Sequence, residues 1–185
     1  MMHRVCPWWL GYLLASPLRR MMEDPVKVVG SYVYEGMTVL EPGPGMGFFT
    51  LPLARLVGAS GRVVAVDIQP RMLASLRRRA RRAHLADRLV LRQASAEGLG
   101  IDDLAGKVDF TLAFAVVHEL PAVESFFAQV AAASKPDAVL LFVEPSGHVT
   151  ADTFEWEMRM AIQAGFALRT RPVVKRSHAA LLIRV

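Results

Sequence analysis

The sequence contains one cysteine, Cys6, among its 185 residues. A single thiol cannot form an intramolecular disulfide or build a zinc site from several thiolates. Long apolar runs are also lacking, because the longest, from Val5 to Ala15, is shorter than the about 20 residues that cross a bilayer. These absences predict a cytoplasmic protein with no disulfide framework and no transmembrane segment.

The same apolar run follows Arg4 and has the length of the hydrophobic core of a secretory signal. Pro7 and two tryptophans lie within it, which is not typical of a signal, and Ser16-Pro17-Leu18 after it offers no cleavage site between small residues. We therefore expect no export.

The composition favours one folded domain, because 53% of the residues are hydrophobic and the charges are nearly balanced, with 22 basic against 17 acidic side chains. Two full domains would leave each half too small to bury a good core. We predict a helical N-terminal appendage or lid over residues 1–24 and one domain over residues 25–185.

Short apolar runs typical of buried strands alternate with segments of helical period. The predicted strands are Thr38–Glu41, Val63–Val66, Leu89–Arg92, Val108–Ala115 and Val139–Val143, followed by a possible hairpin of Ala167–Val174 and Ala179–Val185. The predicted helices are two pieces within residues 10–35, then Phe48–Val57, Pro70–His84, Val123–Ala133 and Thr150–Ala164. This alternation indicates an α/β fold with a doubly wound, mostly parallel, Rossmann-like sheet and a C-terminal antiparallel hairpin.

A glycine-rich turn, residues 41–47 with the sequence Glu-Pro-Gly-Pro-Gly-Met-Gly, follows the first predicted strand. Ligands of doubly wound sheets lie beyond the carboxyl ends of the strands, and glycines let the backbone turn tightly and approach a ligand. Phe48 stands where a dinucleotide fingerprint has glycine or alanine, which argues against NAD. Asp67 ends the second strand, 20 positions after Gly47, where a carboxylate can accept hydrogen bonds from both hydroxyls of a ribose.

These segments resemble the class I S-adenosylmethionine-dependent methyltransferases over residues 25–185. The turn resembles the first motif of the family and Val64–Asp67 the second, while Asp109–Phe114 and Ser134–Leu141 resemble the fourth-strand segment and the turn with the fifth strand. The resemblance implies that Glu41 and the turn face the methionine part of S-adenosylmethionine, that Asp67 holds the ribose and that Ile68 lies against the adenine. The family often has an Asp after the third strand; this chain lacks it, so that Ser95 or a backbone group must serve. The cofactor contacts so implied are Glu41, Gly43, Gly45, Gly47, Asp67, Ile68, Ser95 and Ala96.

The candidate catalytic residue is His118, three residues beyond the fourth predicted strand. A sulfonium methyl group is already electrophilic, so the protein needs mainly to align the acceptor and exclude water. An imidazole, with an ordinary pKa near 6.5, suits removal of a proton from the acceptor. The alternative is a structural histidine packed under its loop and paired with Glu119.

Other side chains are expected to face the substrate, namely Trp8, Trp9 and Tyr12 of the appendage with Glu119 and His148. The aromatic segment could instead pack against the sheet edge, lie on a membrane surface or form a dimer contact. His118, Glu119, Glu144 and His148 share one rim if the fourth and fifth strands are neighbours, and such side chains can bind a divalent metal. Nothing in their spacing requires one, and we predict no metal.

The acceptor is expected to be a small or lipophilic molecule. Enzymes that methylate the exocyclic amines of bases resemble one another in an Asn-Pro-Pro-Tyr-like segment, and this chain has Phe114-Ala115-Val116-Val117 there. Five arginines within residues 77–82 could hold RNA phosphates, but no aromatic side chains interleave with them, and a solvated helix face explains them. We expect nucleic acid not to be the partner. The alternatives are an RNA methyltransferase that uses this helix and a protein that binds the cofactor without turnover.

Overall fold

The computed structural model describes residues 24–95 and 98–185. Those up to Gly100 belong to one compact unit and Ile101–Val185 to another. The predicted appendage, with Trp8, Trp9 and Tyr12, lies outside the described residues except for its last residue, Asp24. Ala96 also lies outside them. What the sequence predicts for these residues therefore stays a prediction. Within the described residues, we find no helix that is both long and apolar enough to span a bilayer.

The first unit is a parallel sheet with its helices. Its elements are α1 (Pro25–Val29), β1 (Thr38–Pro42), α2 (Thr50–Leu56), β2 (Arg62–Asp67), α3 (Pro70–Arg82) and β3 (Leu89–Gln93). The strand order is β3-β2-β1, and Pro42 pairs with Val66 while Asp67 pairs with Gln93. The carboxyl ends of the three strands therefore meet at one edge, where the glycine turn begins.

Helix α3 forms because its apolar residues recur every three or four positions. Met72, Leu73, Leu76 and Ala80 are buried, and Pro70 occupies a first-turn position where its missing N–H costs nothing. The buried face directs α3 toward the sheet and leaves most of its arginines to the solvent.

The second unit contains the remaining strands. Its elements are β4 (Val108–Phe114), a short 3-10 turn (Val117–Glu119), α4 (Val123–Ala133), β5 (Ser134–Pro145), α5 (Ala151–Gln163), β6 (Phe166–Thr170) and β7 (Ser177–Arg184). The order is β4-β5-β7-β6. Strands β4 and β5 are parallel, whereas β7 is antiparallel to both of its neighbours, and a register shift interrupts the pairing of β6 between Leu168 and Thr170.

Phenylalanine rings fill the core of the second unit. The ring of Phe142 stacks on that of Phe154 at a centroid distance of 4.8 Å and meets Phe127 edge-on at 5.5 Å. Fully buried aromatic pairs of this geometry add to the stability that their buried area provides. Because both partners pack on the Phe142 ring, they hold α4 and α5 against β5 and so fix Glu144 near the end of β5.

The predicted α/β class, the mostly parallel strands and the C-terminal hairpin are confirmed. The N-terminal half of β5 was predicted wrongly, because the strand begins at Ser134 and not after a turn. Ser134 pairs with Val108 and Val139 with Phe110, so a bulge containing Asp137 at φ +62° takes up the extra residues. Several ends were also wrong. The second helical piece predicted within residues 10–35 ends at Val29 as α1, α2 begins at Thr50 instead of Phe48, and α3 ends at Arg82 instead of His84. Strand β6 ends at Thr170, shortly before Pro172, and β7 begins at Ser177 instead of Ala179.

Candidate functional site

The glycine turn follows directly from the end of β1. The N–H of Gly43 donates to the Val66 carbonyl at 2.9 Å, which ties the turn to β2, and the N–H of Gly47 donates to the Pro44 carbonyl at 2.9 Å. Gly45 has φ +53°, and a Cβ at this position would meet nothing within 4 Å among residues 24–95 and 98–185. The backbone at Gly45 therefore offers an open approach for a ligand.

Gly47 is required for a different reason. Its φ is +90°, and a Cβ here would lie 2.5 Å from Cδ1 of Leu76 on α3. Leu76 is fully buried, so it has little room to move. Gly47 thus lets α3 pack directly against the turn.

Glu41 places a carboxyl group at the base of the turn. Its side chain is only 3% exposed, and its Oε2 has no hydrogen-bond partner among the described residues. Burial raises the pKa of Glu41 to about 8, the hydroxyl of Thr50 on α2 acting against this shift and the charge of Asp67 adding to it. At neutral pH Glu41 is therefore mostly protonated, and its buried oxygen can accept a hydrogen bond from a ligand.

Glu41→Gln is expected to flatten the dependence of protein stability on pH. The pKa of Glu41 lies at 4.5 in the unfolded chain and at about 8 after burial, so the folded protein keeps a proton that the unfolded chain releases. The stability that the protonated Glu41 contributes is complete below the pKa of the unfolded chain and is lost as pH rises to the pKa of the folded protein. Over that range the free energy of unfolding falls by at most about 1.4 kcal/mol per pH unit. Urea unfolding at several pH values tests this, because the free energy of unfolding of the wild type relative to the variant should fall over that window. A difference that stays constant with pH would contradict the raised pKa.

Asp67 ends β2 and begins the approach to α3. Its Oδ1 accepts a hydrogen bond from the N–H of Gln69 at 2.8 Å, so part of its role is to hold the start of the helix. The side chain of Ile68 next to it is 47% exposed, which leaves apolar surface beside the carboxylate.

Ser95 lies in the segment that follows β3. The N–H of Ala94 donates to the Asp67 carbonyl at 3.0 Å, and the N–H of Ser95 donates to the Gly98 carbonyl at 3.1 Å. These bonds bring the segment beside Asp67, with Ser95 at the surface.

In the second unit, His118 pairs with a carboxylate that the fold buries completely. Its Nδ1 makes a short hydrogen bond to Oε2 of Glu144, which is 0% exposed. Oε1 of Glu144 accepts from the N–H groups of Val116 at 3.2 Å and Val117 at 2.7 Å. These bonds fix the Glu144 carboxylate. A carboxylate accepts a hydrogen bond from Nδ1 only when Nδ1 carries the proton, so Nε2 of the neutral imidazole carries the lone pair.

The pKa of His118 is raised above its ordinary value. Burial acts to lower it, but the hydrogen bond to Glu144 and the charges of Glu144, Glu119 and Glu157 outweigh burial. The imidazole is therefore a stronger base than an isolated histidine.

Two further side chains complete this cluster. The exposed ring of His148 stacks on that of His118 at 5.8 Å between centroids. Glu157 on α5 is buried, and its Oε2 has no hydrogen-bond partner among the described residues. Burial and then the charge of Glu144 raise the pKa of Glu157 to about 7, while His118 acts against this shift.

The cluster does not converge as a metal site. His148 stacks on His118, and both oxygens of Glu144 already accept hydrogen bonds. In the part of the chain that the structure describes, no group of three or more His, Cys, Asp or Glu side chains is arranged to hold a metal ion.

Sequence reasoning missed Arg79 and Glu157 and placed Glu144 only on a possible metal rim. Arg79 was assigned to a solvated face, but it is half-buried and donates to the Met46 carbonyl. Its position three residues after buried Leu76 was the available signal, because such residues lie on the same side of a helix. Nothing in the sequence marks Glu157 as buried.

Comparisons with known proteins bear on the family and the fold of the chain. Residues 34–173 match the model of a family described as a methyltransferase domain, and no curated protein matches the sequence. A SAM-dependent methyltransferase from Aquifex aeolicus is 25% identical, with a TM-score of 0.86 over 98% of this chain and 100% of that chain.

Two more distant solved structures share the fold. A SAM-dependent O-methyltransferase from Thermotoga maritima is 18% identical, with a TM-score of 0.70 over 93% of this chain and 71% of that chain. A protein proposed to be an rRNA methylase, from Clostridium thermocellum, is also 18% identical, with a TM-score of 0.66 over 86% of this chain and 94% of that chain. Since the family model spans most of the chain and the glycine turn lies within the matched residues, the chain belongs to the methyltransferase domain family, as its resemblance to the class I S-adenosylmethionine-dependent methyltransferases predicted.

Proposed function

We propose that this methyltransferase transfers the methyl group of S-adenosylmethionine to a small or lipophilic acceptor. The observation that carries the proposal is the buried carboxyl oxygen of Glu41, which has no hydrogen-bond partner in the described part of the chain, in a turn whose backbone is open at Gly45 in that same part. A buried polar atom without a partner costs free energy, and a ligand that supplies a hydrogen-bond donor removes that cost. The ammonium group of the methionine part of the cofactor is such a donor.

The remaining contacts follow the carboxyl ends of β2 and β3. Asp67 would accept hydrogen bonds from the ribose hydroxyls. The N–H of Gln69 donates to one of its oxygens, and a carboxylate can accept several hydrogen bonds at once. The exposed side chain of Ile68 offers an apolar surface for the adenine. Ser95 or its backbone would serve the adenine edge, with Ala96 next to it in the chain.

When bound, S-adenosylmethionine supplies a methyl group on a positively charged sulfur, which is already a good electrophile. The chain then has to orient the acceptor and exclude water. For an acceptor that carries a proton, His118 would take that proton at Nε2, which leaves the lone pair of the acceptor available to the methyl group; the bond from the methyl carbon to sulfur would break with its electron pair left on the sulfur. Glu144 would act as a positioning residue, since it fixes the ring and stabilises the imidazolium.

A small or lipophilic acceptor is favoured by the absence of an Asn-Pro-Pro-Tyr-like segment after β4 and by the aromatic residues Trp8, Trp9 and Tyr12 ahead of the domain. We place Glu119 and His148 toward the acceptor, because Glu119 adds negative charge near His118 and His148 stacks on its ring. The single cysteine supports a cytoplasmic setting.

The test is incubation with methyl-labelled S-adenosylmethionine and a cell extract fractionated into lipids, small molecules, proteins and RNA. Label is expected in the lipid or small-molecule fraction, and Asp67→Ala, as the matched control, should reduce it. Label that ribonuclease releases from the RNA fraction would contradict the proposed acceptor class. Bound cofactor with no label in any fraction would favour binding without turnover.

Replacing Arg78, Arg81 and Arg82 by Gln is expected to leave turnover of a small acceptor nearly unchanged. These side chains are exposed, so solvent and salt screen their charges. Initial rates of the variant and the wild type with the acceptor found by labelling measure the effect. A large loss that added salt reproduces in the wild type would instead favour an RNA acceptor held through phosphates.

A further inference from the structure

Arg79 differs from the arginines around it on α3. Arg77, Arg78, Arg81 and Arg82 are exposed, whereas Arg79 is half-buried. Its Nη1 donates to the Met46 carbonyl at 2.5 Å, across 33 positions of sequence. This arginine therefore belongs to the packing of the glycine turn and not to the solvated face.

The bond lies beside a second contact between the same two segments. Leu76, three residues before Arg79, occupies the space next to Gly47, where a Cβ would come within 2.5 Å of its Cδ1. Residues three apart lie on one side of a helix. Helix α3 therefore holds the turn through an apolar contact at Gly47 and a polar one at Met46.

Both ends of one peptide group are fixed by this arrangement. The Met46 carbonyl and the Gly47 N–H belong to the same planar unit. The carbonyl accepts from Arg79, and the N–H donates to the Pro44 carbonyl at 2.9 Å. Rotation of this plane would break both bonds, and it would change the backbone on either side.

Glycines stand at one end of this peptide group and one residue before its other end, which makes its restraint important. Gly45 and Gly47 have φ values of +53° and +90°, and glycine gains more conformational freedom than any other residue when a restraint is removed. A turn with several glycines needs restraints from outside to keep one conformation. Pre-organisation of that kind raises affinity, because less ordering remains to be done on binding.

We infer that Arg79 is a positioning residue for the cofactor turn, and that it sets affinity for the methionine part of S-adenosylmethionine without touching the cofactor. The inference rests on the proposed function in assigning the turn to the methionine part. Its guanidinium acts by orienting the Met46–Gly47 peptide group, which holds Gly45 in its open conformation. Of the five arginines within residues 77–82, Arg79 alone then contributes to binding of the cofactor.

The test compares Arg79→Gln and Arg79→Lys with Arg78→Gln as the matched exposed control. Calorimetry is done with two ligands, S-adenosylmethionine and 5′-methylthioadenosine, which lacks the amino-acid part. Arg79→Gln should lose about tenfold in affinity for S-adenosylmethionine, as expected for a lost hydrogen bond to a charged group. Its affinity for 5′-methylthioadenosine should stay within about twofold. Arg79→Lys, which can still donate to a carbonyl, should recover part of the loss, and Arg78→Gln should bind both ligands as the wild type does.

The two ligands separate positioning from general support of the fold. Equal losses for both ligands, or an unchanged affinity of Arg79→Gln for S-adenosylmethionine, would overturn the inference and leave the proposed function intact. Failure of the wild type to bind S-adenosylmethionine would overturn the proposed function and this inference with it. Thermal unfolding of each variant shows that it is folded, and Arg79→Lys carries the same comparison if Arg79→Gln is too unstable to measure.

Discussion

His118→Ala is expected to reduce the rate of methyl transfer by about 10²-fold or more while affinity for S-adenosylmethionine stays within a small factor. The imidazole is held by buried Glu144, whose other oxygen is fixed by the N–H groups of Val116 and Val117. As the proposed base, His118 would serve the reaction step and not the binding of the cofactor, so the variant is expected to lose rate and keep affinity. Single-turnover rates with labelled cofactor, together with calorimetry, measure the two effects separately.

The dependence of the rate on pH provides a second measurement of the same role. Because its carboxylate neighbours raise the pKa of His118, the rate should fall as pH drops through that raised value and the base becomes protonated. Glu144→Gln should lower the rate and move the inflection toward lower pH, because it removes the largest stabilising partner of the imidazolium. His84→Asn is the control, since His84 is exposed with φ +55° and asparagine tolerates this backbone conformation.

A structural role for His118 would give a different pattern. The alanine variant would then lose thermal stability, with rate and cofactor affinity falling together. Inhibition of the wild type by a chelator, reversed by one divalent ion and shared by His148→Ala, would show that a metal acts at this cluster.

Asp67→Ala is expected to weaken binding of S-adenosylmethionine by about 1 to 3 kcal/mol, which is roughly 5- to 150-fold. The reason is the loss of the charge-assisted hydrogen bond that we propose between Asp67 and the ribose. The same change removes the acceptor that holds the N–H of Gln69 at 2.8 Å, so the variant should also lose some thermal stability. Calorimetry with the cofactor and thermal unfolding measure the two losses.

Asp67→Asn separates the two roles of this side chain. Asparagine keeps an oxygen that can accept from Gln69, so stability should be retained while affinity still falls. Cofactor affinity equal to that of the wild type in both variants would rule out the assignment of Asp67 to the ribose.

Much of the glycine turn could be predicted because its signals are local. A β-branched run that stops at Glu41 and a series of alternate glycines place the turn, and Asp67 follows from the next apolar run. Local signals also explain the errors. The start of β5 was missed because Lys135, Pro136 and Asp137 are typical of a turn, whereas pairing with β4 extends the strand through a bulge.

The contacts that the sequence did not predict join distant positions. Arg79 and Met46 are 33 positions apart, and His118 and Glu144 are 26 apart. The second pair depends on the register of two strands, which sets Phe114 opposite Val143 and so brings the following residues together. The hydrophobic pattern of a sequence identifies strands, but it does not determine which residues of two strands pair or where the side chains after them point.

Strand β6 has a consequence for behaviour in concentrated solution. It is last in the strand order of its unit, so one side of its backbone has no partner strand among the described residues of that unit. Unpaired edges are templates on which strands of other molecules can assemble. The edge here is only five residues long, is interrupted by the register shift after Leu168, carries the exposed Arg169 and is soon followed by Pro172. These features leave few consecutive backbone groups to an incoming strand, and they protect the chain against aggregation along this edge.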